Sequence, residues 1–157
     1  MNVETLQGIP NGATDQILSD HGDLLEMLRG LEQHLWQPVD SVGEWLTTLR
    51  EALHDLAEEC RAHFRDEEFG GLHHQLRDHS PRLTFRLQRL VFDHPRILAA
   101  LKDLAAHFPV DELMKRNELR SLKERVQSAL EMVHAHERAE TKVAMDAYWD
   151  DLGGESG

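Results

Sequence analysis

The chain has a single cysteine, Cys60, in 157 residues. It therefore cannot form an internal disulfide, which excludes the disulfide-stapled secreted scaffolds. Basic residues are also scarce, with 17 Lys and Arg against 29 Asp and Glu, and the formal charge is -12. Such a surface repels a phosphate backbone or an anionic membrane, so nucleic acid and membrane are not expected as partners. No run approaches the roughly 20 apolar residues of a membrane-spanning helix. The N-terminal stretch "MNVETLQGIPNGATD" has neither the basic start nor the apolar run of a secretion signal. These absences predict a cytoplasmic protein. Alternating apolar and polar positions, the mark of half-buried strands, are missing too.

What remains is helical. Glycine and proline concentrate in "GIPNG" (8–12), "QPVDSVG" (37–43), "GGLHHQLRDHSP" (70–81), "FPVD" (108–111) and the terminal "GGESG", which read as turns. Between them apolar residues recur at spacings of three and four, as in Leu24, Leu25, Leu28, Leu31 and in Leu46, Leu49, Leu53, Leu56, Cys60. The pattern predicts four helices over 14–35, 42–69, 82–107 and 112–149. Their short connections favour an all-α, up-down-up-down antiparallel four-helix bundle. An arm over 1–13, one domain over 14–150 and a flexible tail over 151–157 complete the expected layout.

The chain is also repetitive. "DHGDLLEMLRGLEQH" from Asp20 matches "DHPRILAALKDLAAH" from Asp93, and the same 73-residue shift carries "AHFRDE" (62–67) onto "AHERAE" (135–140). The halves read as two copies of one helical hairpin, related by an approximate twofold axis. The repeat singles out His21, His63 and Glu67 in one half and His94, His136 and Glu140 in the other. In His-x-x-x-Glu both side chains lie on one helix face, about 6 Å apart along the axis. One can meet one metal ion while the other reaches a second beside it. The midpoints between successive histidines fall at residue 42, between 78 and 79, and at 115, in or close to the turns. All four imidazoles therefore stand at nearly one height. Inside an apolar bundle such a layer is costly unless something binds it, and a pair of metal ions is the natural candidate.

Eleven histidines are present, and not all fit this pattern. His134 is two positions from His136 and points to another face, and its counterpart is Arg61. Glu68 and Glu137 have no carboxylate counterpart in the other half and are expected in solvent. His73, His74 and His79 fall in the expected turn, as solvated loop residues. His34 and His107 lie near helix ends, where a cation suits the dipole. Cys60, one turn before His63, is expected as a small core residue. Asp20 and Asp93 are expected on the surface. Gly22 and Pro95, each following a lone histidine, are expected to allow a local bend.

A lone His, His-x-x-x-Glu, a lone His and His-x-x-x-Glu on four successive helices closely resembles hemerythrin and the wider hemerythrin-like, or HHE cation-binding, domains. The likeness spans about residues 14–150 and includes the "DH" followed by leucines at helical spacing. The resemblance implies a non-haem centre of two iron ions per chain, bridged by oxo or hydroxo groups. His21 and His63 would face one iron and His94 and His136 the other, with Glu67 and Glu140 bridging. Leu98 and Thr141 stand where oxygen-carrying members have further ligands, which leaves open positions for O2, peroxide or NO. The implied functions are sensing, scavenging or transport of such a ligand, with any enzymatic activity of a weak oxidase or peroxidase type. An iron- or oxygen-sensing regulatory module, iron storage, and binding of another divalent metal such as zinc stand as alternatives.

Overall fold

The computed structural model describes residues 11–109 and 113–153, all helix or turn with no strand among them. The helices are α1 (Asn11–Trp36), α2 (Val42–Phe69), α3 (Leu72–His79), α4 (Thr84–Ala106) and α5 (Arg116–Gly153), with a short 3-10 turn at Pro81–Leu83 before α4. The four long helices pack as a bundle in which α1 meets α2 and α5, and α4 meets α2 and α5. The expected arm at 1–13 overlaps the start of α1, and its residues 1–10 lie outside the described residues, as do 110–112 and 154–157. The tail expected from 151 instead begins as the last turn of α5. No helix among the described residues is long and apolar enough to cross a membrane.

Local chemistry sets the helix ends. Ser41 caps α2 by accepting from the Glu44 N–H, with Glu44 in the first turn where its negative charge complements the positive end of the helix dipole. The Trp45 indole donates to the His34 carbonyl at 3.0 Å and the His34 ring donates to the Trp45 carbonyl at 3.1 Å. This reciprocal pair ties the end of α1 to the start of α2, with the two rings stacked.

The stretch 70–81, expected as a turn, contains α3. Two glycines make the reversal possible. Gly71 has φ +88, a left-handed conformation that costs any other residue, and a Cβ on Gly70 would stand 2.3 Å from the Asp66 carbonyl oxygen. "LHHQLRDH" then forms two turns of helix, ended by Ser80 and Pro81. Leu76 of α3 is buried against Leu83, Leu87 and Leu90 of the following segment and Val143, Ala144 and Ala147 of α5.

The apolar interior is divided. A large cluster runs from Leu24 to Leu35 on α1, Trp45 to Phe64 on α2, Ile97 to Phe108 at the end of α4, and Leu122 to Val133 on α5. The smaller cluster around Leu76 lies beyond it. Along α4 the buried stripe reads Leu87, Leu90, His94, Ile97, Leu101, and along α5 it reads Leu130, Val133, His136, Glu137, Glu140, Val143. The polar residues occupy the core positions between the two clusters. Leu56, fully buried in the large cluster, tests its cohesion: Leu56→Ala should lower unfolding free energy by about 2–5 kcal/mol in urea denaturation, whereas a change under about 0.5 kcal/mol is the mark of a surface site.

Candidate metal centre

All six residues singled out by the repeat meet in this layer, each at most 7% exposed. His21 comes from α1, His63 and Glu67 from α2, His94 from α4, and His136 and Glu140 from α5. Their potential ligand atoms fall into two groups, His21, His63, Glu67, Glu137 and Glu140 in one, and Glu67, His94 and His136 in the other, with the atoms of each within 4.8 Å of one another. Glu67 belongs to both. Its Oε1 is 2.5 Å from His63 Nε2 and its Oε2 is 3.0 Å from His94 Nε2, so one carboxylate presents an oxygen to each group. Glu140 Oε2 lies 3.3 Å from His21 Nε2 and 3.8 Å from both His63 Nε2 and His136 Nε2.

Three residues correct the expectation. Glu137 is 2% exposed, with Oε2 2.9 Å from His21 Nε2 and Oε1 3.6 Å from His63 Nε2. Its counterpart under the 73-residue shift is Phe64, itself buried and stacked on the His94 ring with centroids 4.0 Å apart. The position faces inward in both halves, and in the second half it carries a carboxylate. Glu68 is not simply solvated, because its Oε1 accepts a hydrogen bond from His94 Nδ1 at 2.8 Å. Its counterpart Thr141 contacts Nδ1 of His21 at 2.9 Å. These contacts orient the two lone histidines through the nitrogen that does not face the cluster, as outer partners of metal-bound imidazoles do. His73, expected in a solvated loop, is 4% exposed on α3, with Nε2 3.8 Å from Glu140 Oε1 and 3.9 Å from Glu67 Oε2.

Other residues stand where the sequence put them. His134 pairs with Glu32 at 2.9 Å, away from the layer. Asp93 is 40% exposed and reaches His136 Nδ1 only at 3.8 Å. His74 is exposed and pairs with Asp78. Cys60 is fully buried, and burial, with the negative charge of Glu137, Glu59 and Glu67, pushes its thiol up to about 12. It is a neutral core residue. The side chain of Asp20 lies outside the described residues.

The donor atoms fit a metal better than one another. His21, His63 and His94 Nε2, both nitrogens of His136, and every carboxylate oxygen of Glu67, Glu137 and Glu140 are buried without a hydrogen bond of acceptable geometry. Several nevertheless approach a neighbour within 3.0 Å. Short contacts that fail as hydrogen bonds are what atoms give when they converge on a shared centre. Orphaned buried polar atoms cost about 1–3 kcal/mol each, more when charged, and bound cations would supply the partners that these atoms lack.

Without a cation, protons take that role. Burial by itself lowers the pKa of His21, but Glu137 and Glu140 outweigh it and raise the value to about 9. Burial is likewise overcome at His63, where Glu140 and Glu67 raise the value to about 11, and Glu67 and Glu68 raise His94. His136 goes the other way, since burial dominates and lowers its pKa, leaving a neutral imidazole. Burial would raise Glu140, but the facing His21, His63 and His73 lower it.

A raised histidine stabilises the fold fully below its unfolded pKa near 6.5 and ceases to do so as the pH rises through its folded value. Chelator-stripped protein should therefore lose melting temperature between about pH 7 and 11, steeply up to about pH 9 while both His21 and His63 hold protons that the unfolded chain has lost, and then through His63 alone. Metal-loaded protein should be nearly flat over that range, because its ligands are already deprotonated. A stripped protein that gains stability with rising pH would contradict this electrostatic description of the layer. Comparison with protein-family models, curated proteins and solved structures finds no match for the chain, so the reading of the centre rests on its own residues.

Proposed function

We propose that the chain is a non-haem di-iron protein of the hemerythrin-like type that binds O2, peroxide or NO. The observation that carries this reading is Glu67, which offers one oxygen to each of two donor groups. A carboxylate so placed suits two ions side by side. Charge supports a pair as well: Glu67, Glu137 and Glu140 are each at most 2% exposed. One divalent ion would leave a buried carboxylate charge uncompensated, whereas two would compensate all three and leave one positive charge for a hydroxide or other small anion. Five potential donors in the first group exceed the four that zinc takes in closed structural sites, and mixed imidazole and carboxylate donors suit iron.

In this reading His21, His63, Glu137 and Glu140 would hold the first iron, His94 and His136 would hold the second, and Glu67 would offer an oxygen to each. Iron, when bound, would supply a reducible centre for a small ligand. The protein orients the imidazoles through Glu68 and Thr141 and excludes bulk water with Phe64 and the two apolar clusters. Access favours the second group. A surface cavity of about 470 Å³ reaches His94, Phe64 and Pro95 between α2 and α4. Pro95 has no N–H to donate to the carbonyl of Val91, which also lines that cavity. The antiparallel up-down-up-down topology and the twofold repeat belong to the same reading, supported by the matched contacts of Glu68 to His94 and Thr141 to His21. So does a cytoplasmic setting, in keeping with one buried thiol.

Protein reconstituted anaerobically with Fe(II) and then exposed to O2 should retain two irons per chain. It should show a ferric absorption in the near ultraviolet that dithionite bleaches. Glu67→Ala should release both ions, while Glu137→Ala should weaken the first alone, both read by metal analysis. Wild-type protein that retains no iron would overturn the reading.

A regulatory role draws support from the small cluster around Leu76, which lies beyond the metal layer and holds α3. If iron orders that end for a partner, limited proteolysis should cut near Gly70–Gly71 at least tenfold faster in stripped than in loaded protein. Equal rates would leave the ligand-binding role alone.

A further inference from the structure

The two donor groups are unequal. The first has five potential ligands, whereas the second has only Glu67, His94 and His136. Beside the second group stands His73, a residue that neither the repeat nor the helix pattern anticipates. It is 4% exposed, and neither ring nitrogen has a hydrogen-bond partner. An imidazole buried in this state costs free energy unless its lone pair or its N–H is used.

We propose that His73 is a further protein ligand of the second metal ion, delivered by α3 from outside the four long helices. This rests on the reading of the centre as a metal pair. Its Nε2 lies 3.9 Å from Glu67 Oε2, the same oxygen that stands 3.0 Å from His94 Nε2, and 3.8 Å from Glu140 Oε1. A separation of 3.9 Å lies within twice a metal–nitrogen or metal–oxygen bond of about 2.1 Å, so one ion can join both atoms. The His73 and His94 rings are 6.4 Å apart between centroids, which leaves room for an ion between their nitrogens. Glu140 Oε1 and Glu67 Oε2, both without a hydrogen bond, complete the concave surface that His73 closes.

The fold makes this placement specific. The left-handed Gly71 turns the chain back over the end of α2, and Leu76, one turn after His73, anchors α3 in the small apolar cluster. His74, the next residue, is exposed and pairs with Asp78, so only one of the two adjacent histidines is turned inward. On its other side α3 borders a surface cavity of about 530 Å³, lined by His73, Arg77, Leu87 and Phe92. His73 thus stands between the second ion and an opening to solvent, on a short helix tethered by two glycines.

Cobalt(II), added to chelator-stripped protein, reports both stoichiometry and ligand type. The wild type should bind two ions per chain. His73→Ala should keep the first and bind the second at least about tenfold more weakly, the loss that even an outer partner of a metal ligand produces. Imidazole in solution should restore the second ion, and His74→Ala should behave as the wild type. His73→Cys should add a thiolate-to-cobalt charge-transfer band in the near ultraviolet that His74→Cys lacks. If His73→Ala does not fold, the cysteine variant decides: folded protein with two cobalt ions but no such band overturns the assignment. Unchanged affinity for both ions in folded His73→Ala also overturns it, while leaving the metal pair intact. A wild type that binds no metal removes the pair and this proposal together.

Discussion

Three carboxylates buried beside four imidazoles, at positions where the helix pattern calls for leucine or valine, govern the rest of this molecule. Isolated charge in an apolar interior costs several kcal/mol per group even after relaxation, and Glu67, Glu137 and Glu140 are all nearly inaccessible. Their charge must be balanced within the layer. Protons on His21 and His63 provide one balance, which accounts for the upward displacement of those two groups. Metal ions would provide the other, and they would also use the lone pairs that the contact geometry leaves orphaned.

The fold is arranged to hold such a layer. The large apolar cluster secures one side, where α1, α2, α4 and α5 pack over most of their length. The other side is closed by a much smaller set around Leu76, assembled from α3, the start of α4 and the end of α5. The layer is therefore backed by a large apolar cluster on one face and by a small one on the other. That asymmetry matches the donor sets, since the richer group involves α1, α2 and α5, while the poorer one lies beside the cavity between α2 and α4.

Helical periodicity is plain in the sequence, and the long helices fall within a few residues of where it puts them. The last long helix starts at Arg116 rather than 112, and it extends to Gly153. The six repeated residues are legible because a polar residue at a core position is costly, and its recurrence in both halves points to a shared role that offsets the cost. Glu137 escapes a search that demands symmetry of chemistry. Symmetry of position suffices to find it, since its counterpart Phe64 is apolar and lies in the stripe that includes Cys60 and Glu67. Glu68 and Thr141 occupy matching positions with different chemistry, and only the contacts reveal that they serve the same purpose. His73 is illegible for another reason. Its burial depends on the reversal at Gly71 and on tertiary packing of an eight-residue helix whose glycines and proline read locally as a turn.

The proposed centre has two irons sharing the Glu67 carboxylate. Mössbauer spectroscopy of protein reconstituted with 57Fe and oxidised in air tests it most directly, because ferric ions joined through a short bridge couple their spins. Two irons per chain with a quadrupole doublet and a diamagnetic ground state in an applied field at low temperature are expected. Magnetically split spectra of isolated high-spin ferric ions, or protein that retains no iron, would contradict it.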